Sequence, residues 1–257
     1  MQKENFRKLK KSLIQARNIT SGSLKREVIH GWGIYNSGLL SGLHSFDKTF
    51  GGLYGEDHEN IKEYIEDRLA AKRDNAVGVE LGGIGSTLFK EFTPGFFKRT
   101  LGVSLTDSRS EEDKVLDYKN NHHVLALDAF SSYGHREVQK WLGHEGADFI
   151  GEKMHAGSVG FSDNPDFLMS VINRWYKLLN KGGVMFLESP PIIDQKSKEV
   201  IGGWLDSINN KNLDIKITYK INADLKARGQ GGFSEYLGGG IVYICLQKGM
   251  YAPDSLL

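Results

Sequence analysis

From residue 76 onward the chain keeps a rhythm of short apolar runs and amphipathic ones, and that rhythm leaves few folds open. The apolar runs fall at 76–81, 100–105, 123–128, 147–151 and 183–188, and the amphipathic ones near 86–92, 109–118, 133–143 and 163–180. The first kind has the length of strands, and nearly continuous stretches such as "VLAL" suit a sheet covered on both faces. The second kind has helical spacing. Across 163–180, Phe167, Leu168, Val171, Ile172, Trp175 and Leu179 share one face, with Asp163 placed to cap and Pro165 in the first turn. Parallel strands need crossover connections, so this alternation predicts a doubly wound α/β sheet. The rhythm stops near the end. After a helical pattern at about 195–209 come two alternating runs, 213–221 and 240–248, with no helical pattern between them. They are predicted to pair antiparallel across a long glycine-rich loop.

Ahead of this region, residues 1–75 read as helix and loop. Asp57 is expected to cap a helix that places Ile61, Tyr64, Ile65 and Leu69 on one face. A chain of 257 residues suits one large domain with an appendage. The expected division is a helical N-terminal extension at 1–75 and an α/β domain at 76–257. Trp32, Tyr35, Phe46 and Phe50 then have two readings, a lid over a site or ordinary packing of the N-terminal segment.

Charge and composition narrow the class of function. The net charge is +1, but residues 1–29 hold eight basic side chains and two acids, which is +6 and leaves −5 for residues 30–257. Such an arm could touch phosphates; the plainer reading is a solvated helix face with Phe6, Leu9 and Leu13 packing behind it. Cys245 is the single cysteine, so neither an internal disulfide nor a cysteine-based zinc site can form. No apolar run reaches the roughly 18 residues of a membrane helix. "MQKENFRKLKKSL" has no apolar core of a secretory leader, and a cytoplasmic location is expected.

"VGVELGGIGSTLFKEF", residues 77–92, carries the chemistry. An apolar run, a glycine turn and a helical pattern in sequence place backbone N–H groups and a helix N-terminus at the carboxyl edge of a sheet, where open α/β folds bind ligands. No phosphate-cradling G-x-x-x-x-G-K-[ST] is present. A dinucleotide turn would want a third glycine where Leu88 stands. Glu80, just before the turn, would repel phosphate and welcome a cationic ligand.

With that acid before the glycines, residues 76–248 resemble the class I S-adenosylmethionine-dependent methyltransferases. "VELGGIGS" is similar to their first motif, "LGVSLTDS" to their second strand, "ALDAF" to the third-strand motif and "ADFIGEKM" to the fourth strand. "YKLLNKGGVMFLE" resembles their helix, glycine turn and fifth strand. The resemblance implies a Rossmann-like, doubly wound, mostly parallel sheet of seven strands with the last antiparallel. It implies S-adenosylmethionine as cofactor, with Glu80 and Gly82 against the methionine portion and Gly83 and Gly85 admitting the backbone. It implies Asp128 at the adenine amino group and the Ala129 N–H at a ring nitrogen. For the ribose, Ser104 occupies the usual acid position and Asp107 lies three residues on; both stay open. Ser86 stands where the first motif usually ends in glycine.

Methyl transfer needs alignment and exclusion of water, and a base only when the acceptor must lose a proton early. The acceptor side is expected just past the fourth and fifth strands, at Glu152, Lys153, Met154 and His155 and at Glu188, Ser189, Pro190 and Pro191. Lys153 and His155 are the candidate catalytic residues, with His155 the better base at neutral pH and no neighbouring run promising burial for Lys153. His122 and His123 read as surface, and no metal cluster is apparent. The loop 222–240, with six glycines between Gly229 and Gly240 and with Phe233 and Tyr236, is expected to overhang the acceptor. The expected acceptor is a small molecule. The alternatives are a nucleic acid, motivated by the basic arm, and a non-catalytic binding protein, motivated by Ser104 and Ser86.

Overall fold

The computed structural model describes residues 42–104, 107–129, 131–153, 165–189, 195–222 and 241–257. The basic arm, Trp32, Tyr35, Met154, His155, the Asp163 cap, Pro190, Pro191 and the glycine-rich loop from residue 223, with Phe233 and Tyr236, lie outside the described residues.

Seven strands form one sheet: β1 (Ala76–Leu81), β2 (Phe97–Ser104), β3 (His122–Ala126), β4 (Ala147–Glu152), β5 (Leu179–Glu188), β6 (Ile215–Asn222) and β7 (Ile241–Lys248), in the order β3-β2-β1-β4-β5-β7-β6. Every neighbouring pair is parallel except β5–β7 and β6–β7, so β7 alone runs against the rest. This is the doubly wound Rossmann-like sheet that the resemblance implies, with its last strand antiparallel. The order reverses direction between β1 and β4, which makes the crevice at their carboxyl ends the switch point where such folds take ligands.

Helices α1 (Leu43–Phe50), α2 (Ile61–Arg68), α3 (Ser86–Lys90), α4 (Glu111–Lys119), α5 (Ser132–Leu142), α6 (Pro165–Leu178) and α7 (Gln195–Asn210) flank the sheet. Burial divides by strand parity. Val77, Val79, Leu81, Ile150, Met185 and Ile244 share a core with α5, α6 and α7. Phe149, Val184, Phe186, Tyr243 and Cys245 share another with α1, α2 and Leu88 of α3. Within the second core Phe46 and Phe50 are fully buried, and Phe50 packs on Phe186 and Tyr243 at ring-centre distances of 5.2 and 6.2 Å. Of their two sequence readings, packing is the one observed. It joins residues of the expected extension to the same apolar core as the sheet.

Some expected boundaries move for local reasons. Asn60, not Asp57, caps α2, accepting from the Glu63 N–H at 3.0 Å. Leu179, expected on the helix, opens β5 and pairs with Ala147 across a register shift. β3 begins at His122, which pairs with Thr100, so the strand takes in a residue that the sequence reading left outside it.

Candidate functional site at the carboxyl edge

The glycine turn after β1 is drawn onto β2. Gly82 donates its N–H to the Val103 carbonyl at 2.8 Å, and Gly83 bridges Val103. The approach is so close that a Cβ on Gly102 would sit 2.0 Å from the Ile84 carbonyl oxygen. Gly82 and Gly85 hold positive φ, at 85° and 74°, and Gly85 in its left-handed conformation is the N-cap of α3. Part of what comes close to this backbone is thus the neighbouring strand of the same sheet.

Under the turn lies Glu80, fully buried, its carboxylate so near Gly83 that a Cβ there would meet it at 2.5–2.7 Å. Glu80 aligns with Gly151 of β4, on the other side of the switch crevice. At that side Glu152 is fully buried, and its Oε2 accepts the Glu188 N–H at 3.3 Å. Glu188 ends β5 at 8% exposure. The strands flanking the crevice and the next one therefore each bring a buried acid to the same edge.

The remaining predicted residues fall around this edge. Ser104 closes β2 at 1% exposure, and its hydroxyl has no hydrogen-bond partner among the described residues. Asp107 presents both carboxylate oxygens to Arg109, whose Nε and Nη2 donate at 2.9 and 2.8 Å. Those bonds hold its carboxyl below the ordinary range. Asp128 lies in the turn that starts α5: its carbonyl accepts from the Ser131 hydroxyl at 2.7 Å, and the same hydroxyl accepts the Gly134 N–H. Ala129 beside it is buried. Lys153 is 7% exposed and donates to Ser45 of α1, 5.8 Å from the Phe46 ring centre. The burial that no neighbouring sequence run promised comes from α1, more than a hundred residues away in the chain. His155 lies outside the described residues.

Two groups the sequence reading passed over support the turn. His122, expected on the surface, is 5% exposed; one ring nitrogen lies 2.7 Å from the Thr100 hydroxyl and the other 2.7 Å from the Ile84 carbonyl oxygen. Burial pushes its pKa down to about 4, so the ring is neutral. His123, its neighbour, is exposed. Asp117 of α4, 1% exposed, accepts from the Ser86 hydroxyl at 2.5 Å and from Arg109 Nη1 at 2.9 Å, with Lys90 Nζ at 3.4 Å from its other oxygen. Burial opposes its charge, but these donors hold the carboxyl below its ordinary range. An alternation that placed His122 in phase with Val124 was the only sequence signal for the first; for Asp117, on a helix of exposed neighbours, there was none.

Among the described residues no group of three or more His, Cys, Asp and Glu side chains is placed to hold a metal ion, and no helix is long and apolar enough to cross a membrane.

No family model and no curated protein matches the chain. Solved structures similar to it include the N-methyltransferase NodS from Bradyrhizobium japonicum WM9, 10% identical, with a TM-score of 0.39 over 73% of this chain and 94% of that one. An rRNA methylase from Streptococcus thermophilus is 14% identical, with a TM-score of 0.38 over 73% of this chain and 95% of that one. The tRNA methyltransferase TrmK from B. subtilis is 11% identical, with a TM-score of 0.36 over 72% and 65%.

Proposed function

We propose that this chain is an S-adenosylmethionine-dependent methyltransferase acting on a small molecule. The observation that carries the proposal is Glu80: a fully buried carboxylate under a glycine turn at the switch point of the sheet. A carboxylate there opposes a pyrophosphate and favours a sulfonium. The residues present fit such a cofactor. Glu80, Gly82, Gly83 and Gly85 would hold its amino-acid end, Ser104 or Asp107 its ribose, and Asp128 with the Ala129 N–H its base. The buried Ser104 hydroxyl, with no partner among the described residues, is a group that a ligand hydroxyl would satisfy.

When bound, the cofactor supplies an activated methyl group; the chain supplies alignment and exclusion of water. Lys153 and His155 follow β4 at the acceptor side. Lys153 is held against α1 and is read as shaping the acceptor wall, and His155 as the base if the acceptor is a hydroxyl.

Calorimetry with S-adenosylmethionine and its demethylated product tests the reading. One-to-one binding is expected, weakened by about 1–3 kcal/mol in Asp128→Ala, the usual loss for a hydrogen bond involving a charged group. Absence of binding by the wild type would sink the assignment. With an acceptor in hand, His155→Ala should lower turnover by about 10²–10⁴ if the residue is a base, whereas a raised KM alone marks positioning. RNA binding that weakens steeply with salt would move the acceptor to nucleic acid, and cofactor binding without turnover on any acceptor class would favour the non-catalytic reading.

A further inference from the structure

The loop after β2 and the turn after β1 are separate in sequence, yet two side chains join them: Arg109 bonds Asp107 and Asp117, and Asp117 bonds Ser86. Arg109 grips Asp107 with Nε and Nη2 at 2.9 and 2.8 Å and turns Nη1 to Asp117 at 2.9 Å. Asp117 in turn takes the hydroxyl of Ser86, the first residue of α3, at 2.5 Å. Arg109 and Asp117 are 9% and 1% exposed in their side chains, so solvent does little to screen them. Lys90, on the same helix as Ser86, adds a second cation at 3.4 Å from Asp117. The net result is a chain of charge-assisted bonds, Asp107–Arg109–Asp117–Ser86, that links the loop after β2, α4 and the start of α3.

This arrangement accounts for two departures at once. Ser86 stands where the resembled motif ends in glycine, and here its hydroxyl does work a glycine could not: it ties the start of a five-residue helix to α4. α3 is too short to hold itself, because fewer than about 12 residues make a marginal helix in water. Asp107, the second ribose candidate, has both oxygens engaged by a planar fork, which fixes its direction as a monodentate lysine would not.

We propose that Arg109 is a positioning residue of this site, holding the loop after β2 and the glycine turn after β1 as one rigid wall. The inference rests on the reading of this edge as a cofactor site, but one of its two tests does not. Hydrogen exchange on the full chain is that test. In Arg109→Gln the amides of residues 82–90 should exchange about tenfold faster, the scale of one lost charge-assisted bond. Arg99→Gln is the comparator: Arg99 donates two part-buried bonds, to the Trp141 and Leu142 carbonyls at the end of α5, and pairs with Glu145, all away from the turn. It should leave exchange at 82–90 at the wild-type rate. The second test is affinity for S-adenosylhomocysteine, expected to fall about tenfold in Arg109→Gln and to recover only in part in Arg109→Lys, which keeps the charge and loses the fork. Unchanged exchange and affinity in Arg109→Gln overturn the proposal, as does an equal change in Arg99→Gln, which would reduce the effect to general loss of stability. If Arg109→Gln does not fold, Arg109→Lys carries the exchange test, because it keeps the charge and loses the fork; exchange at 82–90 at the wild-type rate then overturns the proposal. A wild type that binds no S-adenosylhomocysteine refutes the functional reading, and the exchange result then decides the positioning role alone.

Discussion

His122 sits between a threonine of β2 and the carbonyl of Ile84, and its buried ring is neutral down to about pH 4. In the unfolded chain the same ring takes its proton near pH 6.5, so between these values the unfolded state binds more protons than the folded one. The stability tied to His122 is therefore complete above about pH 6.5 and is lost as pH falls toward 4, by up to about 3 kcal/mol. His135, lowered in the same direction by burial, adds to this window, whereas the depressed carboxyls of Asp107 and Asp117 act only at lower pH. Urea unfolding at pH 7 and pH 5 should show a smaller loss for His122→Gln than for wild type, and equal losses would contradict the assignment. Gly102 is confined by backbone rather than by charge. A Cβ there would lie 2.0 Å from backbone, so nothing flexible can yield, and Gly102→Ala should cost about 1–3 kcal/mol, the range for an overpacked core, read as a lower urea midpoint.

The short elements show where local signals act and where they stop. α4 has an orderly start: the Ser110 hydroxyl accepts the Asp113 N–H at 3.1 Å, and three acids fill the first turn. Ser110→Ala should cost about 1 kcal/mol, measured by chemical unfolding, and no loss would mean the cap is redundant. Yet the one buried residue of this helix is Asp117, while Val115 and Tyr118 are 57% and 76% exposed. Apolar spacing, the usual guide to a helix's inner face, points the wrong way here, because the face that turns inward is held by ion pairs. α2 is similar in kind: a sound cap was expected at its start, but the side chain that reaches the free N–H belongs to Asn60.

At the scale of the molecule, the question is whether the residues ahead of β1 form a lid or part of the body. Phe50 is fully buried against Phe186 and Tyr243, and Lys153 and Lys220 reach from the carboxyl edge to Ser45 and the Gly51 carbonyl. Phe50→Ala should cost about 3–5 kcal/mol through the cavity it leaves. Unfolding followed by far-ultraviolet circular dichroism and by intrinsic fluorescence should give coincident transitions, since α1, α2 and the sheet share one core. An early, separate helical transition would show a lid that comes away alone.

The doubly wound sheet and its antiparallel end were legible because strand and helix leave different periods in the chain, and a parallel pair admits no short connection. The glycine turn was legible for a similar reason: positive φ at Gly82 and Gly85 is a local demand that few other residues meet. What needed the tertiary structure were the contacts between distant segments. Lys153 is buried by α1, His122 reaches Ile84 across β2, and Arg109 ties the loop after β2 to Asp117 of α4, which holds Ser86. Each depends on the distance between side chains brought together by folding. Periodicity reports which face of an element is buried, and it carries no record of which partner that face will meet.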